Sequence, residues 1–179
     1  MFWLLEHQRA FVAEKFAAEG SNIAINYVSR AEDKARDTAH KIESEYPVKT
    51  ALIEGDLETQ DDCIRIANSS KEALGGLDIV VSNAGFTKFT TFSDLDGLNE
   101  DEWDKCWDTN VKEHLHLFKA VLPTFKQNPE GGVFIITSTI AGVAPSGPSM
   151  AYSVTKAAGE FQDFKNLTGS TAMKLNSHI

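Results

Sequence analysis

A tyrosine and a lysine stand four residues apart in the segment AYSVTKAA, at positions 151 to 158. Residues four apart on a helix lie on the same face, so the ammonium group of Lys156 can approach the phenol of Tyr152. A neighbouring positive charge favours the phenolate and is expected to lower a tyrosine pKa that is otherwise about 10. Such a tyrosine can act as a general acid or base. The pair alone also fits a half-buried tyrosine beside a solvated lysine, so the rest of the chain must decide.

The size and charge of the chain narrow the classes of partner. Its 179 residues suffice for one domain with a substantial core. A formal net charge of -9 argues against nucleic acid or an anionic membrane surface as partner. No apolar run is long enough for a signal peptide or a membrane span. Cys63 and Cys106 share no motif and indicate free thiols in a reducing compartment. We therefore expect a cytoplasmic protein, and small molecules remain open as its partners.

Strand-like and helix-like segments alternate along the chain. Apolar or β-branched runs at 22–28, 48–56, 77–85 and 131–138 predict buried strands, and the segments between them predict helices, with Ser29 as a helix cap. A long helix is predicted over 101–127, and its apolar stripe is assigned to the core and a subunit interface: Trp103, Trp107, Val111, Leu115, Phe118 and Leu122. The alternation is typical of a parallel sheet that is covered by helices on both faces.

Polar residues and glycines follow the predicted strands. Ligands of open α/β sheets bind beyond the carboxyl ends of the strands, and the residues there are Tyr27 to Arg30, Asp56, SNAG at 82–85, and Ser138. Asn110 interrupts the apolar stripe of the long helix. A buried asparagine is unfavourable unless its amide is hydrogen-bonded, so Asn110 is either a satisfied core residue or a functional one.

These motifs, in this order, resemble the short-chain dehydrogenase/reductase family. The similarity extends from about Arg9 to about Ala158 and consists of NYVSR at 26–30, GDL at 55–57, SNAG, TNV at 109–111, Ser138, and the Tyr152–Lys156 pair. It implies a Rossmann-like, doubly wound parallel sheet. It also implies hydride transfer between a nicotinamide cofactor and a small-molecule carbonyl or secondary alcohol.

The resemblance also implies roles for single residues. Tyr152 would exchange a proton with the substrate oxygen, and Lys156 would lower the tyrosine pKa and bind the nicotinamide ribose. Ser138 would hydrogen-bond the substrate oxygen, and Asn110 would hold a water that links Lys156 to solvent. The remaining implied cofactor contacts are Asp56, Leu57, Asn83, Ala84, Gly85 and Arg30. Arg30 stands where an acid would favour NAD(H), so we expect NADP(H) to be preferred, with NAD(H) as the alternative; Arg30 fits a solvated helix start equally well.

The chain departs from the family pattern at both ends. The family begins with a strand and a glycine-rich turn, whereas MFWLLEHQ contains no glycine and is predicted to extend the first helix. The last strands of the family are not found after Ala158. We therefore expect an incomplete Rossmann-like domain over residues 1–166 and an irregular tail over 167–179. A full-length form is expected to be a homo-oligomer through helix 101–127 and the Tyr152 helix.

Other interpretations remain open at this point. An inactive fragment that serves only as a binding or oligomerisation module fits the missing glycine turn. An extended-type sugar-nucleotide epimerase shares the tyrosine–lysine pair but fits SNAG less well. No metal site is predicted, because His114 and His116 face different directions on a helix and the acidic residues at 94–104 lack the spacing of a calcium loop.

Overall fold

The computed structural model describes residues 3–144, 146–162 and 171–177. Its elements in chain order are α1 (Trp3–Ala18), β1 (Ile23–Tyr27), α2 (Glu32–Glu45), β2 (Thr50–Glu54), α3 (Gln60–Leu74), β3 (Ile79–Ser82), α4 (Glu100–Trp107), α5 (Glu113–Gln127), β4 (Val133–Thr139), α6 (Met150–Glu160) and β5 (Thr171–Ser177). The chain divides into two compact units, Met1–Asp56 with Arg65–Gly76 and Leu57–Ile64 with Leu77–Ile179. Within the described part of the chain, no helix combines the length and apolarity that crossing a membrane requires.

The first unit is built on a parallel pair of strands. β1 and β2 pair in register from Ile23 with Thr50 to Tyr27 with Glu54. α1 ends before Gly20, whose φ of +85° suits a helix terminus that only glycine adopts without strain. An ion pair of 2.8 Å between Lys41 Nζ and Glu14 Oε1 connects α2 to α1. The strand predicted at 22–28 is thus confirmed.

The predicted helix cap at Ser29 is wrong. Ser29 begins a short 3₁₀ turn that ends at Ala31, and α2 starts only at Glu32. The Ser29 hydroxyl donates a hydrogen bond to the Glu54 carboxylate at the end of β2 and accepts none from a backbone N–H of helix α2. The Ser29 side chain therefore connects the turn after β1 to the end of β2.

The second unit contains a three-stranded parallel sheet in the order β3-β4-β5. Strand β4 is central and largely buried, and its Phe134 ring packs edge-on against Phe118 of α5 with 5.3 Å between centroids. Residues 171–177 form β5, although the sequence predicted an irregular tail there. Without β5, one edge of β4 would carry unpaired backbone N–H and C=O groups. Hydrogen bonds to that edge explain why residues 171–177 form a strand although their sequence pattern does not predict one.

The predicted long helix is interrupted by one π turn. Residues Asp108–Lys112 form this turn between α4 and α5, and the Glu113 N–H bonds to the Asp108 carbonyl five residues earlier. The extra residue rotates the following helix relative to the preceding one. The predicted apolar stripe is consequently only partly correct: Val111 and Phe118 are buried, but Trp107 and Leu115 are exposed.

The described strands belong to two separate sheets. No hydrogen-bonded pair within the described residues joins β1 or β2 to β3, β4 or β5. Residues from Trp3 onward are helical, as predicted for the N-terminal segment, so no described strand precedes α1. The extension of the first helix is confirmed, and the strands form an incomplete doubly wound α/β arrangement.

Both cysteines are free and buried in the second unit. Burial raises the pKa of the Cys63 thiol to about 12, with the Glu113 charge as a smaller cause. Burial likewise raises the pKa of Cys106 to about 11. The expectation of free thiols therefore holds, and both act as small core residues.

Candidate active site

Lys156 is the most enclosed charged residue of the predicted catalytic set. Its side chain is only 6% exposed, and its Nζ donates a 3.1 Å hydrogen bond to the Thr137 carbonyl near the end of β4. The same Nζ lies 5.9 Å from the centroid of the Tyr152 ring. Helical spacing thus brings the two side chains of α6 together, as the sequence predicts.

The pKa of Tyr152 moves in the opposite direction to the one expected from the sequence. Burial raises it above the usual tyrosine value, because a phenolate inside the protein loses its hydration. Lys156 approaches the ring and directs its amine to a backbone carbonyl. The chain by itself therefore keeps Tyr152 protonated at neutral pH, the form that can donate a proton.

Helix α6 is held in place at its first turn. The buried Ser149 side chain accepts a 3.2 Å hydrogen bond from the Tyr152 N–H, which caps the helix. The turn at Ile140–Gly142 packs directly on the same helix. A Cβ atom on Gly142 would come within 3.1 Å of the Lys156 carbonyl oxygen, so a larger residue would have to displace the α6 backbone by a few tenths of an ångström, whereas glycine allows the close approach. These contacts fix the position of Tyr152 and Lys156 relative to β4.

Asn110 lies in the π turn and is completely buried. Its Oδ1 accepts from the Phe86 N–H, and its Nδ2 donates to the Phe86 carbonyl and to Thr155 Oγ1, each at 2.9 Å. The amide therefore connects the loop after β3 to α6. Its side chain is a satisfied polar core group, and the role of Asn110 in holding a water remains a prediction.

Gly85 brings the loop after β3 close to both of these residues. A Cβ atom placed on Gly85 would lie 3.4 Å from Asn110 Oδ1 and 3.9 Å from Lys156 Nζ. Asn83 and Ala84 precede it in the same loop and are half-buried. The structure thus gathers Gly85, Asn110, Tyr152 and Lys156 in the second unit.

Ser138 and Leu57 also belong to this unit. Ser138 is buried in β4 directly after Thr137, whose carbonyl binds Lys156. Leu57 is a buried residue of the same unit, so its side chain serves packing. No three metal-ligating side chains converge anywhere in the described ranges.

Arg30 and Asp56 lie in the first unit at the carboxyl edge of its sheet. Arg30 is in the 3₁₀ turn after β1, Asp56 follows β2, and both are exposed. Asn26 Nδ2 donates to the carbonyls of Ile53 and Gly55, at 3.1 Å and 3.0 Å, and so supports the turn before Asp56. The parallel register places the two predicted cofactor residues at one edge.

Several residues that shape the site were not predicted from the sequence. Thr155 bridges Asn110 to α6, and Asn26 supports the turn before Asp56. A buried cluster of Ser82, Glu113 and His114 lies beside the loop after β3. The Thr137 carbonyl carries no sequence signal at all, but the mid-strand asparagine at 26 is a polar interruption that a closer examination of the strand could have singled out.

The family model of the short chain dehydrogenases matches residues 10–178. The uncharacterized oxidoreductase YhxD of Bacillus subtilis is 33% identical over 141 residues, which are 79% of this chain and 45% of that protein. Dehydrogenase/reductase SDR family member 4 of Pongo abelii is 30% identical over 147 residues, which are 82% of this chain and 51% of that protein. The chain spans about half the length of these curated relatives.

Solved structures agree with the fold. An alcohol dehydrogenase from Thermococcus sibiricus in complex with 5-hydroxy-NADP has a TM-score of 0.79 at 22% identity, covering 97% of this chain and 70% of that one. A short chain dehydrogenase from Burkholderia cenocepacia in complex with NADP has a TM-score of 0.74 at 27% identity, covering 83% and 58%. The chain belongs to the short-chain dehydrogenase/reductase family of oxidoreductases and has an incomplete Rossmann-like α/β fold.

Proposed function

We propose that the protein to which this chain belongs transfers hydride between a nicotinamide cofactor and the carbonyl or secondary alcohol of a small molecule. The observation that carries the proposal is the buried Lys156, held by the Thr137 carbonyl beside Tyr152, Asn110 and Gly85. Burying an ammonium group costs free energy that hydrogen bonds only partly offset, and ionisable groups buried in this way are concentrated at functional sites. Family membership supplies the reaction class.

The residues present fit a nicotinamide cofactor. A Cβ atom on Gly85 would lie near both Asn110 Oδ1 and Lys156 Nζ. Because glycine has no side chain, a ligand can approach the backbone at this position. When bound, the cofactor would donate or accept the hydride. Lys156 offers an ammonium group to a ribose, and Asn83, Ala84 and Gly85 line the loop that the resemblance assigns to the adenosine ribose. Leu57 and Asp56 complete the proposed binding set.

Tyr152 is the proposed proton donor to the substrate oxygen. Burial raises its pKa, so the phenol carries its proton at neutral pH and can give it to a developing alkoxide. Ser138 is proposed to donate a hydrogen bond to the same oxygen, where negative charge develops. Lys156 would then favour the tyrosinate that remains. In the alcohol-oxidising direction the same groups act in reverse.

We further propose that NADP(H) is the preferred cofactor. Arg30 follows β1 in the 3₁₀ turn and is exposed, which suits a 2′-phosphate. One observation opposes this preference: Glu54 accepts a hydrogen bond from Ser29, so a carboxylate lies next to the same turn. The preference therefore depends on the balance of these two charges.

We propose a homo-oligomer that contacts through α4, α5 and α6. Trp107, Leu115 and Val154 are each exposed by 40% or more on these helices. Exposed apolar side chains contribute favourable free energy when a second copy removes them from water.

Substitution of Tyr152 by phenylalanine in the full-length protein tests the reaction. We expect NADPH-dependent reduction of small ketones to fall about 100- to 10,000-fold with NADPH binding retained, because only a proton donor is lost. Tyr46→Phe, at a half-buried tyrosine of the first unit, is the matched control and should keep full activity. Because burial raises the pKa of Tyr152, the wild-type rate should stay level through neutral pH and should fall only above the pH at which an ordinary tyrosine ionises. Comparable activity in Tyr152→Phe refutes the assignment, and absence of activity in the wild type favours an inactive binding module.

A further inference from the structure

Ser82, Glu113 and His114 form a cluster of polar side chains in which none is more than 1% exposed. The single hydroxyl proton of Ser82 is shared between the two Glu113 carboxylate oxygens, which lie 2.9 Å and 2.7 Å from Oγ. His114 Nδ1 lies 2.6 Å from Glu113 Oε2 and 2.7 Å from Ser82 Oγ. The proposed reaction uses none of the three. A buried carboxylate without any catalytic task needs another explanation.

The hydrogen bonds assign the proton of His114. Its Nε2 has no hydrogen-bond partner within the described residues and faces Gly159, where a Cβ would be 4.0 Å away. A proton on Nε2 would leave the Nδ1 lone pair 2.6 Å from the Glu113 carboxylate oxygen, which is repulsive, and would also bury an N–H without an acceptor. The proton therefore lies on Nδ1 and is donated to Glu113. The carboxylate has two donors, Ser82 and His114, and its geometry is fixed.

The cluster holds one end of a loop whose other end is also held. Ser82 is the last residue of β3, and Asn83, Ala84 and Gly85 follow it. At the far end, the backbone N–H and C=O of Phe86 are both bonded to Asn110. Glu113 and His114 follow the π turn that carries Asn110. The same helical segment thus fixes the loop on both sides.

We propose that Ser82, Glu113 and His114 are positioning residues that set the path of the loop at 83–85 and thereby the affinity for the nicotinamide cofactor. This inference rests on the proposed function, because the loop is a cofactor contact only if the protein binds NADP(H). The cluster acts through hydrogen-bond geometry. It touches neither substrate nor cofactor.

Three variants distinguish the effect of the cluster's hydrogen-bond geometry from the effect of its charge, and a control variant accounts for protein stability. Ser82→Ala and Glu113→Ala each remove hydrogen bonds of the cluster. Glu113→Gln removes the charge but can retain the geometry, with its amide oxygen accepting from His114 and its amide group donating to Ser82 Oγ. Ser70→Ala is the matched control, since the buried Ser70 hydroxyl makes a local 2.8 Å bond to Ile66 within α3.

NADPH affinity of the full-length protein, measured by cofactor fluorescence, is the first readout. We expect the Kd to rise about tenfold in Ser82→Ala and Glu113→Ala, and to stay within about twofold of wild type in Glu113→Gln and Ser70→Ala. An unchanged Kd in folded Ser82→Ala and Glu113→Ala overturns the proposal. An equal loss in Glu113→Gln and Glu113→Ala also contradicts it, because the charge would then matter more than the geometry.

A second readout does not depend on cofactor binding. We expect ¹⁵N NMR of His114 to show a protonated Nδ1 and an unprotonated Nε2 in the wild-type protein. In Ser82→Ala, hydrogen exchange of the Phe86 amide should accelerate relative to the Val133 amide, which bonds to Asp78 in the same unit. A protonated Nε2, or equal acceleration of both amides, refutes the positioning role. If the wild type binds no NADPH, the proposed function fails, while these two measurements still decide the structural part.

Discussion

Replacement of Asn110 by alanine should destabilise the second unit far more than loss of an ordinary asparagine. The change removes three hydrogen bonds of 2.9 Å from a completely buried position. It leaves the Phe86 N–H without its acceptor and the Phe86 carbonyl with only a weak 3.8 Å contact to the Cys106 thiol. At about 1–3 kcal/mol for each unsatisfied buried group, the expected cost is about 2–6 kcal/mol. That is a large part of the usual domain stability of about 5–15 kcal/mol.

Urea unfolding followed by tryptophan fluorescence measures this cost. Trp103 and Trp107 lie in α4 and report on the second unit. Asn128→Ala is the matched control, because the half-buried Asn128 donates a 2.8 Å bond to the Leu77 carbonyl, which water can replace. We expect the control to cost about 1 kcal/mol. If Asn110→Ala costs no more than Asn128→Ala, the connection between the loop and α6 contributes nothing to stability, and the reasoning is wrong.

Three further outcomes follow from charge and burial. Arg30→Ala should reduce the preference for NADPH over NADH by about 1–3 kcal/mol, whereas Glu54→Gln should increase it. Competition kinetics with both cofactors measure the preference, and equal effects of the two variants would contradict the prediction. Leu115→Arg on α5 should shift the oligomer to monomers in sedimentation, whereas Leu95→Arg, at an exposed loop position, should not. The raised pKa of Cys63, about 12, leaves about one thiol in ten thousand ionised at pH 8, so a thiol reagent should label it only after denaturation; rapid labelling of the native protein would show that it is not buried.

The parts of the fold that sequence reasoning predicted are those encoded by local pattern. Runs such as NIAINYV and GGVFIITS are apolar and β-branched, and the strands β1 and β4 are found within them. The four-residue spacing of Tyr152 and Lys156 likewise fixed their proximity, since helix geometry alone determines it. The family motifs added the order of the site residues along the chain.

The parts that were missed depend on contacts between distant segments. Nothing in the composition of 101–127 reveals a π turn, because both Leu115 and Leu117 are apolar and either could face the core. The pKa direction of Tyr152 follows from burial, which pattern analysis does not measure. Ser82 is 31 residues from Glu113, so no local spacing connects them. Strand β5 forms by edge pairing, and its own segment carries no strand pattern.

The π turn at Asp108–Lys112 has a consequence for protein engineering. It contains one residue more than a regular α-helix needs, and it leaves the buried Thr109 hydroxyl without a hydrogen-bond partner in the described part of the chain. Deleting a single residue there would restore the regular i to i−4 bonding and give a better helix. The same deletion would rotate Asn110 away from Phe86 and Thr155. A library of deletion variants selected only for heat resistance would therefore enrich shortened chains with a more regular helix. In those chains the hydrogen bonds of Asn110 that position the site would be lost.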